Sequence, residues 1–441
     1  MDTRGGNWHH AWVSTSLRNV VLALLVLTGP LGAQASQRHP EGSADRGLPS
    51  DAEASRPYHE DREHLLNRIF RTLYFVTTVP DEVGAALPRE QGASPDFWVP
   101  GWVHRKRPGA ATDQRWFGGD GRQLPVEGFA PQAAEQLAAM LQQIGAAEAK
   151  LLRNPPELAV LFQHDLLRLG QRLLDTRQNP GLLPQLRQAA MTVALPASML
   201  AQLQNPLLAA RQAGFRPDHP ALPRWPAALG GDADSPFREI LRKSTRLFDA
   251  ERTLLWSRLW LHHPQGPAEL ARILPQPGSS KGTNPTVPIG FAAILAQGIV
   301  AMADDGSLHA TQVVVDLRTQ WLANRDPLSH ENPTFTHDGI EFGIWQLERE
   351  AWRRGDHAKA LRAVAADDQD LFRDYGTLKH TTYRAQCSLC HRNSDTPEPE
   401  LGGFPVLRHH AGAAFALTGT ERLRLAEQQV ARLLADLPAG N

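Results

Sequence analysis

Cys387, Cys390 and His391, in the stretch YRAQCSLCHRNSD (383–395), are the residues whose types and spacing could most plainly do chemistry. They include both cysteines of a 441-residue chain. Two thiols three positions apart, with an imidazole directly after, can serve in four ways. They can add across two porphyrin vinyl groups as thioethers while the histidine ligates iron. They can supply ligands to zinc. They can cycle as a redox dithiol, or close a structural disulfide.

The surroundings weigh these readings. Zinc would need further ligands, and the adjacent pair His409 and His410 does not match the spaced histidine arm of a zinc finger. A redox dithiol of the thioredoxin kind needs a βαβ setting, which the pattern here does not offer. Covalent attachment of a single haem c is therefore the first expectation, with zinc, dithiol and disulfide kept as alternatives. Asp326, His330, Glu331, His337 and Asp338 gather in a second polar stretch that could hold a divalent cation, but they lack helical spacing, and a strand-connecting loop is the preferred reading. No phosphate-binding glycine loop, G-x-S-x-G elbow or H-E-x-x-H is present. Asn284-Pro285-Thr286 and Asn332-Pro333-Thr334 both carry the proline that excludes glycosylation.

The elements that must position the motif read as an α+β fold. Apolar residues make up 41% and charged residues 21%, an ordinary globular balance, and the net charge of −1 gives no field that would favour nucleic acid. Arg4 and Arg18, the apolar run Val20–Leu27 and Ala33-Gln34-Ala35 have the order of a signal peptide over residues 1–35, so a periplasmic or secreted protein without an integral membrane span is expected. Residues 36–57 read as a disordered polar leader. A mainly helical region follows over 58–235, with helices at 131–154, 156–177 and 181–204, the last broken at Pro196, and a Pro-rich linker at 205–235. Residues 236–361 read as an antiparallel sheet with helices. A helix is expected at 237–248, then a four-stranded meander from 252–263, two strands within 289–322 joined at Asp304–Ser307, and 339–350. A last helix is expected at 420–437, with Thr418 and Glu421 as its capping box.

Residues 362–441 form the expected haem-binding segment, and 362–437 resemble a class I cytochrome c domain. LFRDYGTLKHTTYRAQCSLCH looks like the first helix leading into the haem turn, and GGFPVL places Pro405 and Leu407 fourteen and sixteen residues beyond His391. The resemblance implies a small helical C-terminal segment, His391 as proximal iron ligand, the Pro405 carbonyl orienting that ring, and Leu407 packing on the haem. It also implies a distal methionine after the motif, yet all five methionines (Met1, Met140, Met191, Met199, Met302) precede it. His409 or His410, His380 or Met302 from further upstream, or an open site are the choices left. Tyr383, Arg384 and Arg392 flank the motif, and the arginines could meet haem propionates. The expected function is one-electron transfer with a partner protein or small electron carrier. A haem enzyme or small-ligand sensor with an open distal face is the alternative, and a haem-stabilised envelope interaction module a third.

Overall fold

A helix and a strand, each buried on every side, organise this protein. The structure, a computed structural model, describes residues 56–74, 131–177, 179–217, 222–240, 253–274, 286–322, 334–337, 340–363, 369–371, 380–382, 401–403 and 419–438. All belong to one of the chain's two compact units, Gly47–Asn441. The helices are α1 (Leu65–Tyr74), α2 (Pro131–Leu141), α3 (Ala146–Leu152), α4 (Glu157–Thr176), α5 (Leu182–Thr192), α6 (Ala197–Leu200), α7 (Pro206–Gln212), α8 (Pro267–Ile273), α9 (Arg349–Arg353) and α10 (Gly419–Ala435). The strands are β1 (Arg238–Ile240), β2 (Leu255–His262), β3 (Thr286–Pro288), β4 (Ala292–Met302), β5 (Leu308–Leu322), β6 (Thr334–His337), β7 (Ile340–Leu347), β8 (Leu361–Ala363), β9 (Gln369–Leu371), β10 (His380–Thr382) and β11 (Leu401–Gly403).

The main sheet is antiparallel and has seven strands in the order β1-β2-β4-β5-β7-β6, with β8 pairing β7 beyond the end of β6. This corrects the four-stranded meander. The four expected segments each contain a strand, but β1, β6 and β8 extend the sheet. The helix expected at 237–248 is corrected at its start, because Arg238–Ile240 instead pairs with Leu259–Leu261 as strand β1. All eleven residues of β4 are buried, as an apolar run covered on both faces should be. The β4–β5 turn closes as its sequence requires: Gly306 takes φ +81° and Asp305 Oδ1 accepts the Ser307 N–H at 2.8 Å.

Alternation along the strands separates two cores. Trp256, Trp260, Ala296, Leu317, Trp321 and Trp345 face the helical layer and share one apolar cluster with Leu66, Phe162, Leu186 and Val430. Leu259, Leu295, Phe342 and Ile344 face the other way and pack with Leu270 of α8 and Val287 of β3. Two glycines make room for tryptophan rings, Gly298 for Trp256 of the neighbouring strand and Gly343 for Trp345 of its own strand. A Cβ on Gly298 would fall 2.2 Å from the Trp256 ring, and one on Gly343 would fall 2.3 Å from the Trp345 ring.

The helical C-terminal segment is also corrected. Within 362–437 the chain forms strands β9, β10 and β11; β9 pairs with β10, and β11 pairs with β3. The closing helix α10 is part of the body rather than a separate module. Ala426, Val430, Leu433 and Leu437 enter the main core, Glu427 Oε1 accepts the Ala310 N–H at 2.6 Å, and Arg187 Nη1 donates to the Leu437 carbonyl. Thr418 lies outside the described residues. Further upstream, the helix expected at 131–154 is two, parted before Ala146, where Glu148 Oε2 accepts the Gly145 N–H at 2.9 Å. The linker expected at 205–235 contains α7, which Asn205 caps by accepting the Leu207 N–H at 2.9 Å, with Pro206 at its first position.

Candidate functional site

Cys387, Cys390, His391, Pro405, Leu407, His409 and His410 lie outside the described residues, as do Tyr383, Arg384 and Arg392. The described strands bracket them in sequence. Strand β10 ends five residues before Cys387, with His380 opposite Leu371 of β9. Strand β11 begins ten residues after His391, and its Gly402 stands opposite Val287, which is fully buried in the second core. Met302, the methionine among the distal-ligand candidates, is the last residue of β4. Its side chain is 6% exposed within the main core, and its backbone N–H and carbonyl are held by Gln163 Oε1 and Nε2, both at 2.8 Å. Among the described residues no group of three or more His, Cys, Asp or Glu side chains could hold a metal ion. Of the second polar stretch, only His337 is described, in β6; the rest lies outside.

The described polar chemistry is concentrated on α4. This helix carries Leu158, Val160, Leu161, Phe162, Leu166, Leu167 and Leu169 around its whole circumference, so it runs through the core rather than over it. Polar residues on it are consequently buried, among them Glu157, Gln163, His164, Asp165, Arg168 and Gln171. Each must find a partner or destabilise the fold. Glu157 Oε1 accepts the Gln204 N–H at 2.7 Å. Asp165 is fully enclosed and accepts from Arg349 of α9, Nη1 to Oδ2 at 2.5 Å and Nη2 to Oδ1 at 2.9 Å. Tyr58 donates its hydroxyl to Asp165 Oδ2, and Arg349 Nη1 donates to the same hydroxyl. The guanidinium also lies 5.3 Å from the Phe70 ring centre and 5.8 Å from that of Tyr58.

This arrangement suits positioning more than proton transfer. Two guanidinium N–H groups and a phenol occupy the Asp165 oxygens, leaving little lone-pair capacity to take a proton from a substrate. His164, its neighbour, is pushed down to about 3 by burial, with the Arg168 and Arg349 charges adding to the effect against Asp165. It is therefore neutral at ordinary pH. Its Nε2 lies 3.1 Å from the Thr253 carbonyl, which can only accept, so Nε2 carries the hydrogen.

A second polar set crosses the sheet face opposite the helical layer. Ser257, Gln297, Asp316 and Gln346 stand in register on β2, β4, β5 and β7, and Arg362 of β8 continues the row. Gln297 Nε2 donates to Ser257 Oγ at 3.0 Å, and Arg318 Nε to Asp316 Oδ1 at 2.8 Å. Gln320 Nε2, on the same face, is buried with no hydrogen-bond partner among the described residues.

Sequence reasoning missed both sets. Tyr58 adjoins the stretch that reads as a leader, and 156–177 reads only as a helix, with no site on it. The available signal was the spread of the leucines on α4: apolar residues on all sides of a helix mean that any His, Asp or Arg in it is buried too. Among the described residues no helix is long and apolar enough to cross a membrane. No protein-family model, curated protein or solved structure matches the chain.

Proposed function

We propose that this chain is an exported c-type haem protein that binds one haem through Cys387 and Cys390, takes His391 as the proximal iron ligand, and works in one-electron transfer. The observation that carries the reading is the motif itself: two thiols at the separation of two adjacent vinyl groups, followed at once by an imidazole. That donor set fits the group, with two thioethers fixing the porphyrin edge and one nitrogen for the iron. When bound, haem supplies a one-electron carrier. The protein's part is to orient the group, limit water around it and present a docking surface to a partner protein or small carrier. The closing helix α10 packs in the body core.

A second reading, a haem enzyme or small-ligand sensor, is favoured by the methionines. None follows the motif, and Met140 and Met302 are buried in the main core. The sixth iron position then falls to a histidine such as His409, His410 or His380, or stays open to an exogenous ligand.

The test is the optical spectrum of full-length protein matured in a host that makes c-type cytochromes, oxidised and reduced, with and without carbon monoxide. Haem that stays on the chain after denaturation and is lost in Cys387→Ala/Cys390→Ala shows covalent attachment, and sharp reduced bands of the folded protein that ignore carbon monoxide support electron transfer. Bands that shift with carbon monoxide move the assignment to the enzyme or sensor. Absence of haem in a competent host overturns the proposal.

A further inference from the structure

The strap Arg56–His64 precedes α1 and is held to the body by contacts of several kinds. Tyr58 reaches the Asp165–Arg349 pair. Arg353 donates Nε to the Arg56 carbonyl at 3.1 Å and lies 3.5 Å from Glu60. Buried Asn67 of α1 works as a hub. Its Oδ1 accepts the Tyr58 N–H at 3.1 Å and the His59 N–H at 3.3 Å, and its Nδ2 donates to the His59 and Asp61 carbonyls, both at 2.8 Å.

Two imidazoles sit at the centre of this strap. His59 and His64 stack with ring centres 4.0 Å apart and planes 22° from parallel. Each uses Nδ1 as an acceptor: His59 from the Asp61 N–H at 3.0 Å, His64 from the Leu66 N–H at 3.3 Å. His64 is also the residue from which α1 starts, since its carbonyl accepts the first helical N–H, that of Arg68, at 3.0 Å. Both roles require an unprotonated Nδ1. Protonation would aim an N–H at a backbone N–H, set two cations face to face, and place positive charge at a helix N-terminus.

We propose that the His59–His64 stack is an acid-sensitive catch, and that its protonation releases the strap Arg56–His64 and withdraws Tyr58 from Asp165 and Arg349. The charged groups around it do not cancel this. Glu148 of α3 and Asp61 favour the charged form of His64, but burial and His59 outweigh them, so His64 titrates below its ordinary value of 6.5. Glu63 is engaged with Arg71, and Glu60 with Arg353. The sign follows: a group kept neutral on docking supports docking above its ordinary value and opposes it as pH falls further.

The experiment is hydrogen exchange of the full-length protein between about pH 7.5 and about pH 5, corrected for the intrinsic rate. The expected result is a loss of protection of about tenfold at the Asp61 and Leu66 amides across that range, while β4 stays protected. In His59→Asn/His64→Asn, which keeps a side-chain acceptor at both turns but removes the titration, the loss should disappear. Protection unchanged with pH in the native protein overturns the proposal, and so does an equal loss in the double variant, which would assign the titration to other groups. If the double variant does not fold, the single variant His64→Asn is read by the same criterion.

Discussion

Arg349 grips both carboxylate oxygens of Asp165 from 184 residues away, so the short helix between β7 and β8 is locked to the central helix of the other layer. The pair is nearly dry, with Asp165 1% and Arg349 15% exposed. Removing one partner strands a buried charge. Arg349→Met should destabilise by about 3–5 kcal/mol, whereas Arg349→Met/Asp165→Leu should recover most of that loss. Urea unfolding of the two variants checks this. Arg349→Lys should behave like the single loss, because a point charge cannot serve two carboxylate oxygens and the phenol together.

Tyr58 completes the same knot from the strap. Its hydroxyl both donates to Asp165 and accepts from Arg349. Tyr58→Phe keeps the edge-on ring contacts with Phe70 and Phe162 but leaves the carboxylate and guanidinium one partner short. The expected loss is about 1–3 kcal/mol in the same assay, and a variant as stable as the native protein would mean that water replaces the hydroxyl.

His164 gives stability a slope in acid. Its value falls from 6.5 in the unfolded chain to about 3 in the fold, so the unfolded chain binds the extra proton. Its contribution is complete above 6.5 and is lost as pH falls toward 3. The slope is about 1.4 kcal/mol per pH unit. Between about pH 7 and about pH 5, the native protein should lose about 2 kcal/mol more than His164→Gln, which retains an N–H for the Thr253 carbonyl. Equal losses in denaturant titrations of the two would show that His164 is not the group responsible.

Much of this architecture was written in local patterns, and much was not. The alternation in RTLLWSRLWLHH and the Asp-Gly turn before Ser307 mark β2 and the β4–β5 connection, because a sheet with two distinct faces imposes period two. Strands of three or four residues, such as Arg238–Ile240 and Leu361–Ala363, are too short to show a period, and only their neighbours in the sheet make them strands. Asn205-Pro206 illustrates a signal read with the wrong weight: the proline counted as a breaker where it opens a helix. In the C-terminal segment, an amphipathic helix and a C-x-x-C-H motif suggested an independent domain. The apolar face of α10 is the same whether it packs on a haem or on β5, so sequence alone cannot name its partner. The Asp165–Arg349 knot was invisible for a related reason, since nothing in either local sequence specifies a contact across 184 residues.

The allegiance of α10 can be measured. Leu437 is 4% exposed just past its end, in the main core and 3.4 Å from where a Cβ on Gly170 of α4 would lie. Leu437→Ala should lower the stability of the whole unit by about 2–5 kcal/mol. Far-ultraviolet ellipticity and tryptophan fluorescence should then report one shifted transition. A main transition left in place, with a separate early loss of helicity, would instead describe an autonomous closing helix.

Gly298 carries the last prediction, because there the sheet has room for only one side chain. A methyl group would fall 2.2 Å from Trp256 Cζ2 and 2.4 Å from Cε2, too close for any rotamer change at the glycine to relieve. The ring itself would have to move, and its Nε1–H would be pulled from the Thr311 carbonyl it meets at 2.7 Å. Overpacking of this kind costs about 1–3 kcal/mol, and a buried indole N–H without a partner costs a similar amount. Gly298→Ala should therefore destabilise by about 2–5 kcal/mol and alter the emission of Trp256. Adding Trp256→Phe to Gly298→Ala should regain part of the loss, since the smaller ring vacates the contact and has no N–H to satisfy. If the double variant is instead less stable than the sum of its parts, the collision is not between these two residues, and the register shift after Gln297 must be what requires the glycine.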